Sequence, residues 1–351
     1  VRDIAVVGFA QTPCVRETDG TTNGVEMLVP IFHEVLGGLG ITKTDIGFWC
    51  SGSSDYLAGR AFSFVSAVDA IGAFPPITES HVEMDAAWAL YEAWVKLLCG
   101  EIDTALVYGF GKSSAGQLRR VMAMQLDPYL VTPLWPDSLG LAGIQARMGI
   151  ENGLWDERAM ASVAAQSRSA ALSNPLAQLS GEVDADELLA LPYVADPLRR
   201  HDCAPITDGA ATIVLAAGDK ARELCERPAW ITGFEHRTDS PSFGTRDLTT
   251  SPSAVAAGKA AGAGGVQVAE LHAPFTHQEI LLRQALGLGD EVTVNPSGGV
   301  LAGNPMFAAG LARIGEAARR IHDGTAQKVL GHATSGPLLQ QNLVCVMEGR
   351  E

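Results

Sequence analysis

A chain of 351 residues, 47% of them hydrophobic, can bury a large core, and its length suits two domains or two fused halves. A net charge of −15, with no basic stripe to neutralise phosphates, argues against nucleic acid as a partner; a few local arginines or lysines would still suffice for the phosphates of coenzyme A. Six cysteines without CxxC spacing speak against a metal site or a disulfide framework and for a reducing compartment, the cytoplasm. The chain enters a strand pattern directly at Ile4, from which no secretory leader is expected, and no apolar run approaches the ~18 residues that span a bilayer.

In chain order, Ile4 to Gly8 reads as a strand, Asn23 to Leu39 as a helix, and Asp45 to Ser54 as a strand with a small-residue tip. His81 to Gly100 reads as a helix buried on most sides, with Glu83 and Asp85 at its opening, where carboxylates face the positive end of the helix dipole. Thr104 to Ser114 is a short apolar run bounded by glycines, the pattern of a central strand covered on both faces. Residues 115–147, rich in Pro, Met and Trp, read as an inserted loop lying over a site or at a subunit contact. Helices are expected at Asp156–Leu172 and Glu182–Leu191, then strands at Ala210–Ala217 and Trp230–Phe234. The alternation of strand and helix predicts a mainly parallel, layered sheet.

The second part of the chain repeats the first. A small-residue helix, then Gly100 to Asp103, leads into the strand at Thr104–Gly109; likewise the helix over 306–321, then His322 to Thr325, leads into Lys328–His332. Ala210–Ala217 is echoed by Asn342–Met347. Duplication at half the chain length predicts two like α/β halves, over about 1–227 (with the insertion at about 115–195) and 228–351, with a site between them.

Three stretches could carry chemistry. Val268 to Glu279 is a strand that ends by presenting His272, then a helix; a histidine there suits a ligand crevice, although a hydrogen-bonded core histidine is the blander reading. His277 and Glu279 read as structural. Asn295 to Pro305 is a glycine-rich loop whose Gly298, Gly299 and Gly303 would let backbone approach a ligand and place N–H groups near a thioester oxygen; it lacks the spacing of a phosphate loop. His332 and Ser335 follow a strand as candidate pocket residues, and Cys345, inside an apolar run, reads as a buried hydrophobe.

Taken together, these motifs resemble the thiolase superfamily, and within it the sterol-carrier-protein-X type of thiolase, the bacterial lipid-transfer-protein thiolases and the steroid side-chain aldolases. The resemblance rests on Ile4 to Gly8, Pro197-Leu, Thr207-Asp-Gly-Ala-Ala, Glu270-Leu-His-Ala-Pro-Phe, Leu286-Gly-Leu, Asn295-Pro-Ser-Gly-Gly and Gln341-Asn-Leu, in this order over nearly the whole chain. It implies a five-layer αβαβα fold of two βαβαβαββ halves, normally dimeric, binding coenzyme A thioesters between them. It implies no bound cofactor or metal, the substrate being carried as the acyl-CoA thioester.

The departures from the family pattern are equally specific. In the register set by Ala89-Leu90 and Gly100, Glu83 stands where active thiolases carry a nucleophilic cysteine, and Gly303-Asn304-Pro305 stands where they carry Gly-His-Pro. His272 survives, with Ala273-Pro274 after it instead of Asp-Cys, and the tyrosines of the related aldolases are missing near His272 and Ala302.

Two functions follow as expectations. One is a subunit that cleaves or makes a carbon–carbon bond in a sterol or fatty acyl-CoA without a cysteine nucleophile. His272 would be its base, Glu83 or Asp85 would orient it or share its proton, and the loop through Asn304 would supply donors. The other is an inactive subunit, with Trp88 filling the acyl pocket, that pairs with an active thiolase-like chain or a small OB-fold and zinc-ribbon acyl-CoA-binding protein.

Overall fold

The computed structural model describes residues 2–19, 22–55 and 63–350. Its strands are β1 (Ile4–Gln11), β2 (Phe48–Gly52), β3 (Glu79–Val82), β4 (Thr104–Lys112), β5 (Tyr193–Ala195), β6 (Leu198–Arg199), β7 (Asp208–Ala217), β8 (Ala229–Thr238), β9 (Val268–Glu270), β10 (Thr293–Val294), β11 (Lys328–Ser335) and β12 (Gln341–Glu348). Its α-helices are α1 (Gly24–Gly38), α2 (Ser63–Ile71), α3 (Ala86–Leu98), α4 (Leu118–Met124), α5 (Ser138–Glu151), α6 (Glu157–Ala170), α7 (Ala185–Leu189), α8 (Gly218–Leu224), α9 (Pro252–Ala261), α10 (Thr276–Ala285), α11 (Gly299–Ala302) and α12 (Ala309–His322).

The order of the large sheet, β10-β9-β11-β12-β8-β1-β7-β4-β2-β3, is the expected duplication in space. Read outward from the β1–β8 junction, β1, β7, β4, β2, β3 match β8, β12, β11, β9, β10. In each half the outer three strands are parallel and the inner two antiparallel.

Alternation along the strands makes the layers. On β1, Ile4 and Val6 join a core containing Ala87, Leu90, Leu311 and Ile314, while Ala5 and Val7 join another with Leu28 and Phe32. On β12, Leu343, Cys345 and Met347 face the first of these cores, and Val344 and Val346 face a third with Ala254 and Leu282. With side chains of period two buried on both faces, each half-sheet needs helices on both sides. Helices α3 and α12 fill the space between the half-sheets, α1 covers one outer face, and α9 and α10 cover the other, which gives the αβαβα order.

The helix expected from His81 begins five residues later. Glu79–Val82 instead pairs with β2, Ser51 opposite His81, because the backbone there completes a sheet edge. The turn then ends at Asp85, whose Oδ1 accepts the Ala87 N–H at 2.9 Å as the N-cap of α3. Gly100, at φ +75°, stops that helix as expected. Within 115–147 the structure is more regular than the composition suggests. Asp137 accepts from Gly140 N at 2.7 Å and starts the fourteen-residue α5 there. The helix read at Glu182–Leu191 is only the short α7, and the one read at 306–321 begins at Ala309.

Candidate functional site

Asp85 joins the two central helices head to head. Its carboxylate accepts from Ala87 N on its own helix and reaches across to Gly310 N at 2.9 Å and Leu311 N at 3.1 Å, the first turn of α12. In return, Ala86 N donates to Phe307 O at 2.8 Å. Four backbone donors that a helix start ordinarily leaves open are therefore satisfied within the chain. Burial pushes the Asp85 carboxyl up, and its three N–H partners oppose that rise.

Glycines of the first half make room for this junction. A Cβ on Gly109 would lie 2.4 Å from Phe307 O, and one on Gly111 would lie 2.1 Å from Met306 O, so residues 306 and 307 can rest directly on β4. Phe307 itself adopts φ +66° as the chain turns into α12. Nothing in the spacing of these glycines gave this away, since their partner lies nearly two hundred residues on.

Glu83 sits in the exposed turn between β3 and α3 rather than on the helix. Its Oε2 is 3.4 Å from His81 Nε2, and His81 Nδ1 is 2.9 Å from Ser51 Oγ. Trp88, one turn into α3, is buried in the central core.

His272 lies two residues beyond β9, buried, with Nδ1 lacking any partner. Burial, with His332 and Arg313 nearby, pushes it down to about 3, so the imidazole is neutral at physiological pH. Beneath it, Glu270 accepts from Ser297 N at 3.0 Å and Ser297 Oγ at 2.7 Å, and pairs with Arg313 at 2.7 Å. Asn295, at φ +50°, accepts from Leu271 N at 2.6 Å and donates to Glu279 Oε2 at 2.7 Å. These contacts fix the strand end that carries His272. The Glu270–Arg313 pair, whose two members stand 43 residues apart, was missed from sequence.

The glycine-rich loop is packed rather than open. Cβ atoms at Gly298 and Gly299 would meet Ala171 and Asn295, and one at Gly303 would stand 2.8 Å from Cys14 Cβ. Its N–H groups are engaged too: Gly298 N with Asn295 O, Gly299 N with Ser297 Oγ, Gly303 N with Val300 O, and Asn304 N with Thr207 Oγ1. The Asn304 side chain differs, since its Oδ1 is buried without a partner. Residues 174–178 pack against this loop: Asn174 donates to Ser297 O, and Gln178 N to Ala302 O.

His332 is fully buried, its Nε2 3.0 Å from Asn342 Oδ1, and Asn342 donates in turn to Ser253 Oγ, Ser251 Oγ and Leu339 O. Burial pushes His332 down to about 4. Ser335 ends β11, opposite Gln341. Among the described residues no cluster of His, Cys, Asp and Glu could hold a metal ion, and no helix is long and apolar enough to cross a membrane.

No family model matches the chain. Among curated proteins, an acetyl-CoA acetyltransferase of Methanothermobacter thermautotrophicus is 31% identical over 171 residues, 42% of this chain and 45% of that protein. Sterol carrier protein 2 of Homo sapiens is 27% identical over 271 residues, 65% of this chain and 49% of that protein. The chain thus spans about half the length of these two relatives. Among solved structures, the Ltp2-ChsH2(DUF35) aldolase superposes with a TM-score of 0.82 at 17% identity, over 99% of this chain and 98% of that one, a likeness of fold. These relatives, and the doubled half-sheets on two central helices, support a thiolase-superfamily protein, similar in sequence to acetyl-CoA acetyltransferases and sterol carrier protein 2 and alike in fold to the Ltp2-ChsH2(DUF35) aldolase.

Proposed function

We propose that this chain is a subunit of a carbon–carbon bond-cleaving enzyme acting on a sterol or fatty acyl-CoA, and that it works by moving protons without an acyl-cysteine. The observation carrying this reading is His272, a neutral buried imidazole with an unpaired nitrogen at the end of a strand. A neutral histidine is the form that can accept a proton.

The cysteines point the same way. Burial pushes Cys14 up to about 11 and both Cys50 and Cys203 up to about 12, and it also raises Cys225 and Cys345. Cys99 sits at the far end of α3, as its C-cap. A nucleophilic thiolate needs the opposite environment, a helix N-terminus or a neighbouring cation.

In a retro-aldol step, His272 takes the proton of the β-hydroxyl. The Cα–Cβ bond breaks, Cβ leaves as a carbonyl, and the electron pair becomes the thioester enolate, which recovers the proton at Cα from the imidazolium. The Nδ2 amide group of Asn304 is the donor we assign to the enolate oxygen, because the loop's glycine N–H groups are already engaged. Asp85 holds the two helix heads together, and Glu83, open to solvent, can pass protons out.

Purified chain, alone and with a candidate thiolase-like or acyl-CoA-binding partner, is assayed for cleavage of β-hydroxyacyl-CoA thioesters. His272→Gln should lower kcat by roughly 10²–10⁴, the usual worth of a general base. Unchanged turnover in that variant overturns the reading.

A second reading is favoured by the junction at Asp85, which uses up the donors at both helix heads. In it the chain is a non-catalytic subunit supporting an active thiolase-like or acyl-CoA-binding partner, an arrangement for which the two-component name of the Ltp2-ChsH2 aldolase gives support. The two readings part on one result: in the second, His272→Gln has no effect on turnover by the assembled complex, whereas removing this chain does.

A further inference from the structure

Two arginines stand beside the loops of the candidate site without a counter-ion. Arg168 lies in the last turn of α6, next to Ser167, whose Oγ donates to Gly298 O of the glycine-rich loop at 2.5 Å. Arg200 opens a short 3₁₀ turn, Arg200–Asp202, which packs against α6. That turn is tied in its own right to the segment after His272. Thr276 Oγ1 donates to Asp202 Oδ1 at 2.6 Å, and Ala204 N donates to Pro274 O at 2.8 Å. The two arginines therefore belong to the supports of the two loops that carry His272 and Asn304.

Neither guanidinium is used within the chain. Arg199, beside Arg200, pairs with Glu157 at 2.5 Å and lies over the Tyr193 ring, whereas among the described residues no carboxylate pairs with Arg168 or Arg200 and neither guanidinium donates a hydrogen bond. The acid of the turn, Asp202, is engaged by Arg199 N at 2.7 Å and by Thr276. Arg168 is half-buried, and burial, with Arg200 close by, holds its guanidinium below the ordinary value. Burial also holds His201 down against the pull of Asp202, and Arg199 and Arg168 add to it. A charge partly withdrawn from water is costly unless it is paired. A chain of net charge −15 that nevertheless gathers unpaired positive groups at one spot has prepared a place for an anion.

Position selects the anion. In a coenzyme A thioester the pantetheine arm holds the phosphates well away from the carbonyl, whereas these arginines stand on the segments that carry His272 and Asn304, at the reacting end. The part of the substrate that lies there is the acyl group. A guanidinium fork matches a carboxylate, to which it can offer two parallel N–H bonds, and two forks converging on one carboxylate can satisfy all its lone pairs. We propose that Arg168 and Arg200 form a carboxylate subsite, and that the acyl group this chain takes carries a free carboxylate remote from its thioester. The assignment rests on the acyl-CoA reading above, and narrows the substrate to thioesters whose acyl chain ends in an acid.

The test is calorimetric binding of adipyl-CoA and hexanoyl-CoA to the full chain, two thioesters of equal acyl length that differ in the terminal carboxylate. The wild type is expected to bind adipyl-CoA about tenfold tighter or more, the worth of one charge-assisted hydrogen bond, and Arg168→Gln and Arg200→Gln are each expected to bring the ratio of the two affinities toward one. Equal affinities in the wild type overturn the proposal. So do variants that weaken both thioesters alike, which would give the arginines to the phosphates. Arg200 is exposed, so its variant keeps the comparison open should Arg168→Gln fail to fold. A second measurement separates the subsite from the acyl-CoA reading: labelling of wild-type arginines by phenylglyoxal, followed residue by residue by mass spectrometry, with and without excess free adipate. Adipate should slow labelling at Arg168 and Arg200 and leave the exposed Arg120 as it was. Where neither thioester binds, protection by adipate upholds the subsite while the acyl-CoA reading fails, and absence of protection overturns both.

Discussion

Asp85→Ala tests the head-to-head junction most directly. Were Asp85 only the N-cap of α3, its removal would cost ~0.5–2 kcal/mol. The structure gives it more to do, since two of its three bonds reach Gly310 N and Leu311 N on the other central helix, and the side chain is 4% exposed. Hydrogen bonds to a charged group contribute about 1.5–3 kcal/mol each, and the truncation leaves three buried donors without an acceptor. Water entering the gap recovers part of this, so we expect a net loss of about 3–5 kcal/mol, beyond the usual range for single substitutions. Denaturant unfolding of wild type and variant, with the dependence on denaturant compared to confirm the same transition, measures it. Asp85→Asn keeps one acceptor oxygen and should lose less. A loss of 1 kcal/mol or below for the alanine variant would refute the junction and leave a simple cap.

The pH dependence of stability separates two sets of buried groups. Burial raises Glu279 to about 7, so the stability it contributes is complete below the ordinary carboxylate range and is lost as pH rises through 7, on the order of 3 kcal/mol at 1.36 per unit. Glu279→Gln keeps the bond from Asn295 and should flatten that limb; an unchanged profile between pH 5 and 8 would count against it. Burial lowers His272 and His277 to about 3 and His332 to about 4, so the unfolded chain takes up protons that the folded one refuses. Stability should therefore fall as pH drops below ~6.5, and His277→Gln should ease the fall. Gly303→Ala should cost about 1–3 kcal/mol, because its Cβ would meet Cys14 Cβ at 2.8 Å, and Cys14→Gly in the same chain should restore most of that, measurable as a double-mutant cycle.

The fold was legible in the sequence wherever the signal was periodic or repeated. β4, β7 and β12 are continuous apolar runs, the two small-residue helices recur at matching places, and together they predict the doubled architecture. Legibility stopped where a backbone partner was decisive. Nothing local distinguishes Glu79–Val82 as an edge strand from the first turn of a helix; its pairing with β2, thirty residues earlier, settles it. At the candidate site, Asp85 and His272 stood out in the sequence, but not the contacts each of them makes. A carboxylate at a helix start says nothing of a second helix start facing it. Likewise the glycines at 298, 299 and 303 suggested approach to a ligand, whereas the bodies they approach are Ala171, Asn295 and Cys14.

The junction at Asp85 also bears on what chemistry the heads of the two central helices can host. Two helix N-termini meeting head to head concentrate partial positive charge, which favours an anion between them. Here the chain supplies that anion itself, so an acyl oxyanion would have to compete with a carboxylate held by three N–H bonds at 2.9–3.1 Å. Chemistry that builds charge at this spot is disfavoured, and chemistry that builds it nearer His272 and Asn304 is not. Both of those side chains keep a buried polar atom unpaired while Glu270, Asn295 and Thr207 around them are fully engaged. Leaving a buried acceptor unsatisfied costs about 1–3 kcal/mol, and a hydroxyl or amide N–H of a bound acyl-CoA donating to either atom would recover that cost as affinity. Replacing Asn304 by Ala should therefore weaken acyl-CoA binding in a calorimetric titration even where turnover is absent. An affinity equal to that of the wild type would move the ligand away from this end of the sheet.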